Sequence, residues 1–336
     1  MKPLTARRVL LICGGMLAAL LVSVLIALKL GAVPIPATDL ALSLARALVG
    51  AEIPADHQLI IFEMRLPRIL LAILVGASLA VAGAGFQALL RNPLADPYVL
   101  GVSSGAALGA IVSLVLLPRV ALASPVAAFL GAVLATTTVY FLGRRGGQLD
   151  SHTLLLAGII TASFLSAVIM FLMTTLPSSH LRGMAFWLMG DLSVAPPVSL
   201  SVLFVLVAAG AGAIYTTAAD LNLLLAGELE ALHLGVEVNR VKLVVYLAAS
   251  LLTGVAVSVS GAVGYVGLIV PHLLRLVFGH DYRLLIPTAA VGGAIALVLA
   301  DALARTIVAP TELPVGAMTA LAGAPMFIYL LRRRMH

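Results

Sequence analysis

Long uncharged, apolar stretches alternate with short polar segments along almost the whole chain. A helix needs about 20 predominantly apolar residues to cross the hydrocarbon core of a bilayer. Nine stretches approach or exceed that length, so the pattern predicts an all-α polytopic membrane protein. These stretches are 9–28, 69–90, 97–118, 120–143, 153–179, 192–219, 243–271, 284–300 and 313–331.

The seventh stretch is too long for a single crossing, because it continues through Pro271 to Phe278 with Arg275 as its one charged residue. It also contains "SGAVGYVG" at 260–267, whose closely spaced glycines interrupt a helix. Two crossings over 243–278 fit this pattern better than one. The expected number of transmembrane helices is therefore ten.

Both ends of the chain are basic, with Lys2, Arg7 and Arg8 at one end and three arginines at 332–334. Cytoplasmic segments of membrane proteins carry an excess of Lys and Arg, so we expect both termini in the cytoplasm. Ten crossings satisfy this and place the long segment 29–68 outside. The first stretch is longer than the core of a signal peptide and no clear cleavage site follows it, which favours a retained helix.

The composition supports lipid as the main solvent. Hydrophobic residues make up 62% of the chain and charged residues 10%, whereas soluble domains are about half apolar and a quarter charged. The net charge of +6 is explained by basic loops, and no basic run with interleaved aromatics suggests nucleic acid. The single cysteine, Cys13, excludes an internal disulfide and a thiolate metal site.

Motifs for chemistry or for ion coupling are missing from the sequence. It has no P-loop, no H-E-x-x-H and no G-x-S-x-G. The acidic residues fall at the ends of the apolar stretches, which argues against a proton relay, although unwound backbone can bind Na⁺ without a carboxylate. His272 is expected to be an interfacial hydrogen-bonding residue rather than a ligand. A conduit driven by another protein fits better than an enzyme.

The stretch "RNPLADPYVLGVSSGAALGA" at 91–110 interrupts the apolar pattern. Pro93 and Pro97 forbid helix continuation, which predicts a short cytoplasmic turn. The third apolar stretch then begins, with Gly101, Gly105 and Gly109 on one helical face. Small residues at this spacing let a second helix approach closely, so this face is expected to pack inside the protein.

The longest cytoplasmic loop, 218–242, is predicted to form two short helices broken at Gly227 and Gly235. Its leucines form two apolar edges and its glutamates form polar faces, a pattern that suits docking into a partner's groove or lying on lipid headgroups. The leucines are Leu221, Leu224, Leu225, Leu229 and Leu232, and the glutamates are Glu228, Glu230 and Glu237.

Three arginines lie at the predicted outer mouth of the bundle. Arg65 and Arg68 lie just before the second apolar stretch, 69–90, and Arg305 lies just beyond the eighth, 284–300. Bare arginines there can pair with carboxylates of a docking protein, or they can anchor the chain at the interface by snorkelling.

The sequence resembles the permease subunits of bacterial ABC importers for iron–siderophores, haem and vitamin B12, the FecCD-type permeases. The resemblance runs in order from about residue 60 to the end and is specific for the family but not for the substrate. It is carried by "RLPRILLAILVGASLAVAGAGFQALLRNPLADPYVLGVSSGAALGA" (65–110), "LRGMAFWLMGDLS" (181–193), "SGAVGYVGLIVPHLLR" (260–275) and "ADALARTIVAPTELPVGAMTALAGAPMFIYLL" (300–331).

The resemblance implies a type II ABC importer permease: one transmembrane domain over 1–336, with ten helices, paired with a second copy of itself in the bacterial inner membrane. Two cytoplasmic ATP-binding subunits would hold the loop 218–242 and use ATP and Mg²⁺, with no cofactor in this chain. A periplasmic or lipid-anchored substrate-binding protein would dock at the three arginines. The outer loop 177–195 would carry a short helix. A stand-alone secondary transporter or channel is the alternative.

Site residues follow from the resemblance. The translocation path would run along the dimer interface, lined mainly by the fifth and tenth of the ten predicted crossings with help from the third and eighth. The spacing leaves open which side of the fifth crossing, 153–179, faces the path. The expected path residues are Ser163, Ser166, Met170, Met173 and Thr174. The expected coupling residues are Leu221, Leu224, Gly227, Glu228, Glu230, Leu232 and Gly235.

Overall fold

A computed structural model describes residues 5–145, 148–193 and 198–334 of the chain. The described part is built from helices joined by short connections. They are α1 (Ala6–Lys29), α2 (Ala37–Leu48), α3 (Ala55–His57), α4 (Leu66–Leu89), α5 (Val102–Leu116), α6 (Ala123–Leu142), α7 (Ser151–Thr175), α8 (Ser178–Met189), α9 (Leu200–Thr216), α10 (Ala218–Leu224), α11 (Glu228–His233), α12 (Val238–Ser260), α13 (Val266–Phe278), α14 (Tyr282–Ala304) and α15 (Val315–Arg334).

Four further elements complete the description of the secondary structure. A π-helical segment, Gln58–Arg65, joins α3 to α4, and a 3₁₀ turn, Pro97–Leu100, precedes α5. The strands β1 (Arg144–Arg145) and β2 (Gln148–Leu149) form an antiparallel hairpin between α6 and α7, with Arg144 opposite Leu149.

Each of the ten predicted crossings coincides in position with a helix of the described chain, but these helices differ in length. Six are long and apolar enough to cross a membrane, the second of them being the continuous helix Ala55–Leu89. Helix α9 passes the same length test only when it is taken together with α10, the first short helix of the loop 218–242, which bends from it by 49°. Three shorter apolar helices, α5, α13 and the apolar part of α15, occupy the remaining predicted places.

The predicted interruption of the seventh stretch is confirmed. Helix α12 ends at Ser260 and α13 begins at Val266, with Gly261 between them at φ +64°. The Val263 N–H donates to the Tyr98 hydroxyl at 2.9 Å, and that hydroxyl donates to the Val263 carbonyl at 2.7 Å. These bonds satisfy irregular backbone that lipid would leave unpaired.

Helix α4 lies at the centre of the bundle, between α12, α13 and α14. Glycines bring the backbones together, because a Cβ at Gly76 would overlap the Gly293 carbonyl of α14, and one at Gly83 would overlap the Gly267 carbonyl of α13. In lipid the hydrophobic effect does not drive helices together, so van der Waals contacts at such close approach stabilise their association.

One glycine of the predicted packing face lies elsewhere. Gly101 precedes α5 in a left-handed conformation, φ +76°, and approaches Gly158 and Thr161 of α7. Gly105 and Gly109 do lie in α5 and pack against the α6 backbone. Gly101 lies outside the helix because the 3₁₀ turn Pro97–Leu100 takes up four residues before α5 can begin at Val102.

The segment 29–68 is more ordered than the apolar pattern indicated. Helix α2 packs on the bundle through Leu40 and Ser43, and the Ser43 hydroxyl lies 3.0 Å from His57 Nδ1. The π-helical segment then carries the chain into α4 without a break.

Candidate functional site

Three regions hold the predicted site residues: an arginine cluster at the α4–α14 contact, the loop 218–242, and one face of α7. The arginine cluster is formed by Arg65, Arg68, Asp301, Arg305 and Glu312. A cavity of about 300 Å³ lies beside it.

Asp301, in the last turns of α14, is the centre of the arginine cluster and is fully buried. Arg68 of α4 reaches its Oδ1 from Nε at 2.9 Å and from Nη2 at 2.8 Å. Arg305 Nε lies 3.0 Å from its Oδ2, an ionic contact outside hydrogen-bond geometry. Arg68 Nη1 also contacts Glu312, a partly exposed residue, at 2.6 Å. One buried carboxylate therefore holds two guanidinium groups.

Arg65 binds the end of α1 rather than a carboxylate. Its guanidinium donates to the carbonyls of Leu28 at 2.5 Å and Lys29 at 3.2 Å, and also to the carbonyl of Val33. The last carbonyls of a helix have no partner within the helix, and a cation there also compensates the helix dipole. Arg65 is consequently buried, with 6% of its surface exposed.

Arg305 contributes to the same helix end. It donates to the carbonyls of Ala27 at 3.2 Å and Leu30 at 3.4 Å, and it is 4% exposed. The expectation of bare arginines is therefore wrong for this structure, because α1 and Asp301 supply partners within the chain. A docking role for Arg65, Arg68 and Arg305 stays a prediction.

The loop 218–242 forms the two predicted short helices, α10 and α11. Gly227 separates them with φ +141°, and Gly235 ends the second with φ +86°, conformations that favour glycine. A Cβ at Gly227 would overlap the carboxylate of Glu230, which is exposed.

The apolar edges of this loop differ from the prediction. Leu221 and Leu224 are buried against the bundle, so they anchor the loop to the rest of the chain and are not part of its exposed surface. The exposed edge, here called the leucine ridge, includes Leu229 at 70% and Leu232 at 54% exposure. Its members are Leu225, Leu229, Leu232 and Leu234.

Asn222 fastens α10 to the start of α14. Its Nδ2 donates to Asp281 Oδ1 at 2.8 Å, and its Oδ1 accepts the Tyr282 N–H at 2.8 Å. Asp281 also accepts from Arg283 and caps α14. The Arg283 hydrogen bond, with help from Asn222, lowers the pKa of the Asp281 carboxyl to about 2.

Glu228 belongs to an ion pair rather than to a free polar face. Its Oε1 lies 2.7 Å from Lys242 Nζ, near the start of α12. The same ammonium donates to the Leu149 carbonyl of β2 at 3.1 Å, and Lys242 is 5% exposed. This contact joins α11 to the hairpin before α7.

Helix α7 presents most of the predicted path residues. Ser163, Ser166, Met170 and Thr174 are exposed, among exposed apolar neighbours that include Ile160, Phe164 and Phe171. Met173 instead is half-buried against the small cluster of Ile169 and Met184, so it differs from the other four. Met184 belongs to α8, the helix found where the outer loop 177–195 was expected to contain one.

Sequence reasoning missed Asp301, Lys242 and Asn222 as site residues. Asp301 and Arg305 are spaced as i and i+4 within an apolar stretch, which is a recognisable ion-pair pattern on a helix. Lys242 and Asn222 bind partners that are 93 and 59 residues away, and no local pattern indicates such contacts.

Known proteins similar to this chain are membrane permeases. A model of the FecCD transport family matches residues 19–333. The cobalamin import system permease protein BtuC of Halobacterium salinarum is 43% identical over 304 residues, which are 90% of this chain and 81% of that protein. The hemin transport system permease protein HmuU of Yersinia pestis is 46% identical over 277 residues, 81% of this chain and 83% of that protein.

A solved structure has the same fold over nearly the whole length. It is an inward-facing conformation of an ABC transporter of the metal-chelate type. The TM-score is 0.80 at 30% sequence identity, and the match covers 96% of this chain and 98% of that one.

Proposed function

Because the chain belongs to the FecCD transport family, we propose that it is the permease subunit of an ATP-driven importer for an iron chelate, either a siderophore or haem, or for cobalamin. The observation that carries this proposal is the family match over residues 19–333. The names of the relatives, a cobalamin permease and a hemin permease, support the substrate class.

In this proposal the chain catalyses no reaction itself and binds no cofactor. Two cytoplasmic ATP-binding subunits hydrolyse ATP with Mg²⁺ and dock on the leucine ridge. Exposed leucines on short helices suit a partner's apolar groove, since a ridge in water gains by being covered. The protein lies in the bacterial inner membrane, surrounded by lipid, with both termini in the cytoplasm.

The exposed face of α7 supports a second copy of the chain as the other wall of the path. Ser163, Ser166, Met170 and Thr174 give this face three hydroxyls and one thioether among apolar neighbours. Such a lining suits a bulky chelate that is passed along without tight binding. Transport then follows alternating access, in which movement of the loop 218–242 changes the gap between the two copies.

A substrate-binding protein, periplasmic or lipid-anchored, delivers the chelate at the arginine cluster. Arg68 is the arginine best placed to exchange partners, because its side chain is 12% exposed and its contact Glu312 is 38% exposed. Arg65 and Arg305, which bind the end of α1, hold the surrounding helices in place and do not contact the binding protein themselves.

Uptake into proteoliposomes tests the proposal. The chain is reconstituted with an ATP-binding subunit and a substrate-binding protein from the same organism, and it is offered cobalamin, haem and a ferric siderophore. We expect uptake of one of them only with ATP and both partners. Uptake by the chain alone, driven by an ion gradient, would establish the secondary transporter instead.

A further inference from the structure

Lys242 is a buried cation that joins three separate elements. Its ammonium lies 2.7 Å from Glu228 Oε1 on α11 and donates to the Leu149 carbonyl on β2 at 3.1 Å, while its own backbone belongs to α12. An ammonium with 5% exposure has to keep its partners, because an unpaired buried charge is strongly unfavourable. Helix α11 and the hairpin are therefore held together through one side chain.

The hairpin continues directly into α7. Asp150 follows Leu149 and caps α7, accepting from the Thr153 N–H at 2.8 Å and the Thr153 hydroxyl at 2.6 Å. These bonds from Thr153 lower the pKa of the Asp150 carboxyl, so it stays ionised as a cap at neutral pH. The Ser151 hydroxyl donates to the Leu89 carbonyl at the end of α4 at 3.0 Å. A displacement of Leu149 is thereby a displacement of the start of α7.

A second ion pair in the same region provides the contrast. Arg240 lies one turn from Glu237 on the surface, with 3.5 Å between the charged atoms and more than 70% of each side chain exposed. An exposed pair of this kind contributes little, because water and salt screen it. The two cations are two residues apart on α12, which makes Arg240 a matched control for Lys242.

We propose that Lys242 is a positioning residue that links α11 to the start of α7, so that movement imposed on the leucine ridge reaches the exposed face of α7. This inference rests on the proposed ATP-driven function, since it names the contact through which the ATP-binding subunit would act on the path. Glu228 and the Leu149 carbonyl are the two ends of the link.

The test compares four variants of the full chain in the reconstituted complex: Lys242→Met, Lys242→Arg, Arg240→Met, and the exchange Glu228→Lys with Lys242→Glu. The exchange restores an ion pair, but a carboxylate cannot donate to the Leu149 carbonyl. Two quantities are measured, the chelate taken up per ATP hydrolysed and the amide hydrogen exchange of residues 148–156.

We expect Lys242→Met to retain the ATP-binding subunit and to hydrolyse ATP while uptake per ATP falls about fivefold or more, the size of an ordinary coupling between sites. Exchange at 148–156 should become faster. Lys242→Arg, which keeps the donors, and Arg240→Met should both resemble the unmodified protein. The charge exchange should stay uncoupled.

Normal uptake per ATP in Lys242→Met would overturn the role of Lys242, and so would recovery by the charge exchange, which would reduce the contact to an ion pair alone. If Lys242→Met does not fold, the charge exchange and Lys242→Arg decide the question by the same two readouts. Absence of ATP-driven uptake by the unmodified protein would overturn the proposed function itself, which keeps the two failures distinct.

Discussion

The arginine cluster lies at the C-terminal end of α14, whereas Asn222 joins the loop that carries the leucine ridge to the N-terminal end, about 30 Å away by the rise of the helix. In the cluster, Arg65, Arg68 and Arg305 are bound by carboxylates and carbonyls of the same chain. The leucines of the ridge are exposed, while Asn222 attaches α10 to Asp281 and Lys242 attaches α11 to α12 through Glu228.

The difference follows from the two kinds of side chain. A guanidinium finds acceptors on its own chain wherever a helix ends or a carboxylate is near. A leucine on a six-residue helix such as α11 is satisfied only by another apolar surface. The ridge is thus a surface open to a partner in this structure, whereas a partner that uses the cluster has to displace bonds that already exist.

The largest effect is expected inside the cluster. Asp301→Asn removes one charge and leaves Arg68 and Arg305 facing each other in a buried site, so we expect a loss of about 3–5 kcal/mol in the free energy of unfolding. Thermal unfolding of the purified chain in detergent measures it. Glu312→Gln is the control and should cost about 1 kcal/mol or less, because that residue is partly exposed. Equal losses for the two variants would show that burial of Asp301 does not matter.

Substitutions in the leucine ridge should weaken partner binding while leaving stability unchanged. Leu229→Glu and Leu232→Glu should leave thermal stability within about 0.5 kcal/mol of the unmodified chain, since both side chains are exposed. Association with the ATP-binding subunit should weaken by about 2 kcal/mol or more, the cost of a central interface residue. Binding in nanodiscs gives the affinity, and Leu48→Glu on α2 is the exposed control. A ridge variant that binds normally would place the docking surface elsewhere.

The helices and their breaks were predictable because their causes are local. The positions of the apolar helices follow from the apolar stretches, six of them long enough to cross a membrane, and the interruption at Gly261 and the break at Gly227 follow from residue types. Gly101 was misplaced because the sequence did not reveal how many residues the turn after Pro97 would use.

The partners of polar side chains were less predictable, because they depend on which helices meet. Asp301 reaches Arg68 across 233 residues of sequence, and Leu221 is buried because α10 folds back against the bundle, where Leu221 lies beside Leu89 of α4 and Val241 of α12. The apolar edge of a short helix can face either way until its neighbours are known. For that reason the sequence predicted the two short helices of the loop, but it did not predict which of their leucines are buried and which are exposed.

The next prediction concerns whether Arg68 can exchange its partner Glu312 for a carboxylate of the binding protein. If Arg68 exchanges Glu312 for a carboxylate of the binding protein, removing the competitor should help docking. We expect Glu312→Gln to raise the affinity for the binding protein about fivefold, equivalent to about 1 kcal/mol, and Arg68→Gln to lower it. Titration of nanodisc-embedded permease with the binding protein at two salt concentrations measures both. A loss of affinity in Glu312→Gln would instead make Glu312 itself the contact.

The smallest effect concerns the attachment beneath the ridge. The pKa of Asp281 is lowered from 3.8 to about 2, so its contribution to stability is present above the ordinary pKa and disappears as the pH falls toward 2. Asp281→Asn should therefore cost about 1 kcal/mol or less at pH 7, and the difference from the unmodified chain should shrink below pH 4. Thermal unfolding between pH 7 and pH 3 tests this, with Glu237→Gln as the exposed control. A difference that does not depend on pH would mean that Asn222 and Arg283 bind the residue through shape rather than through its charge.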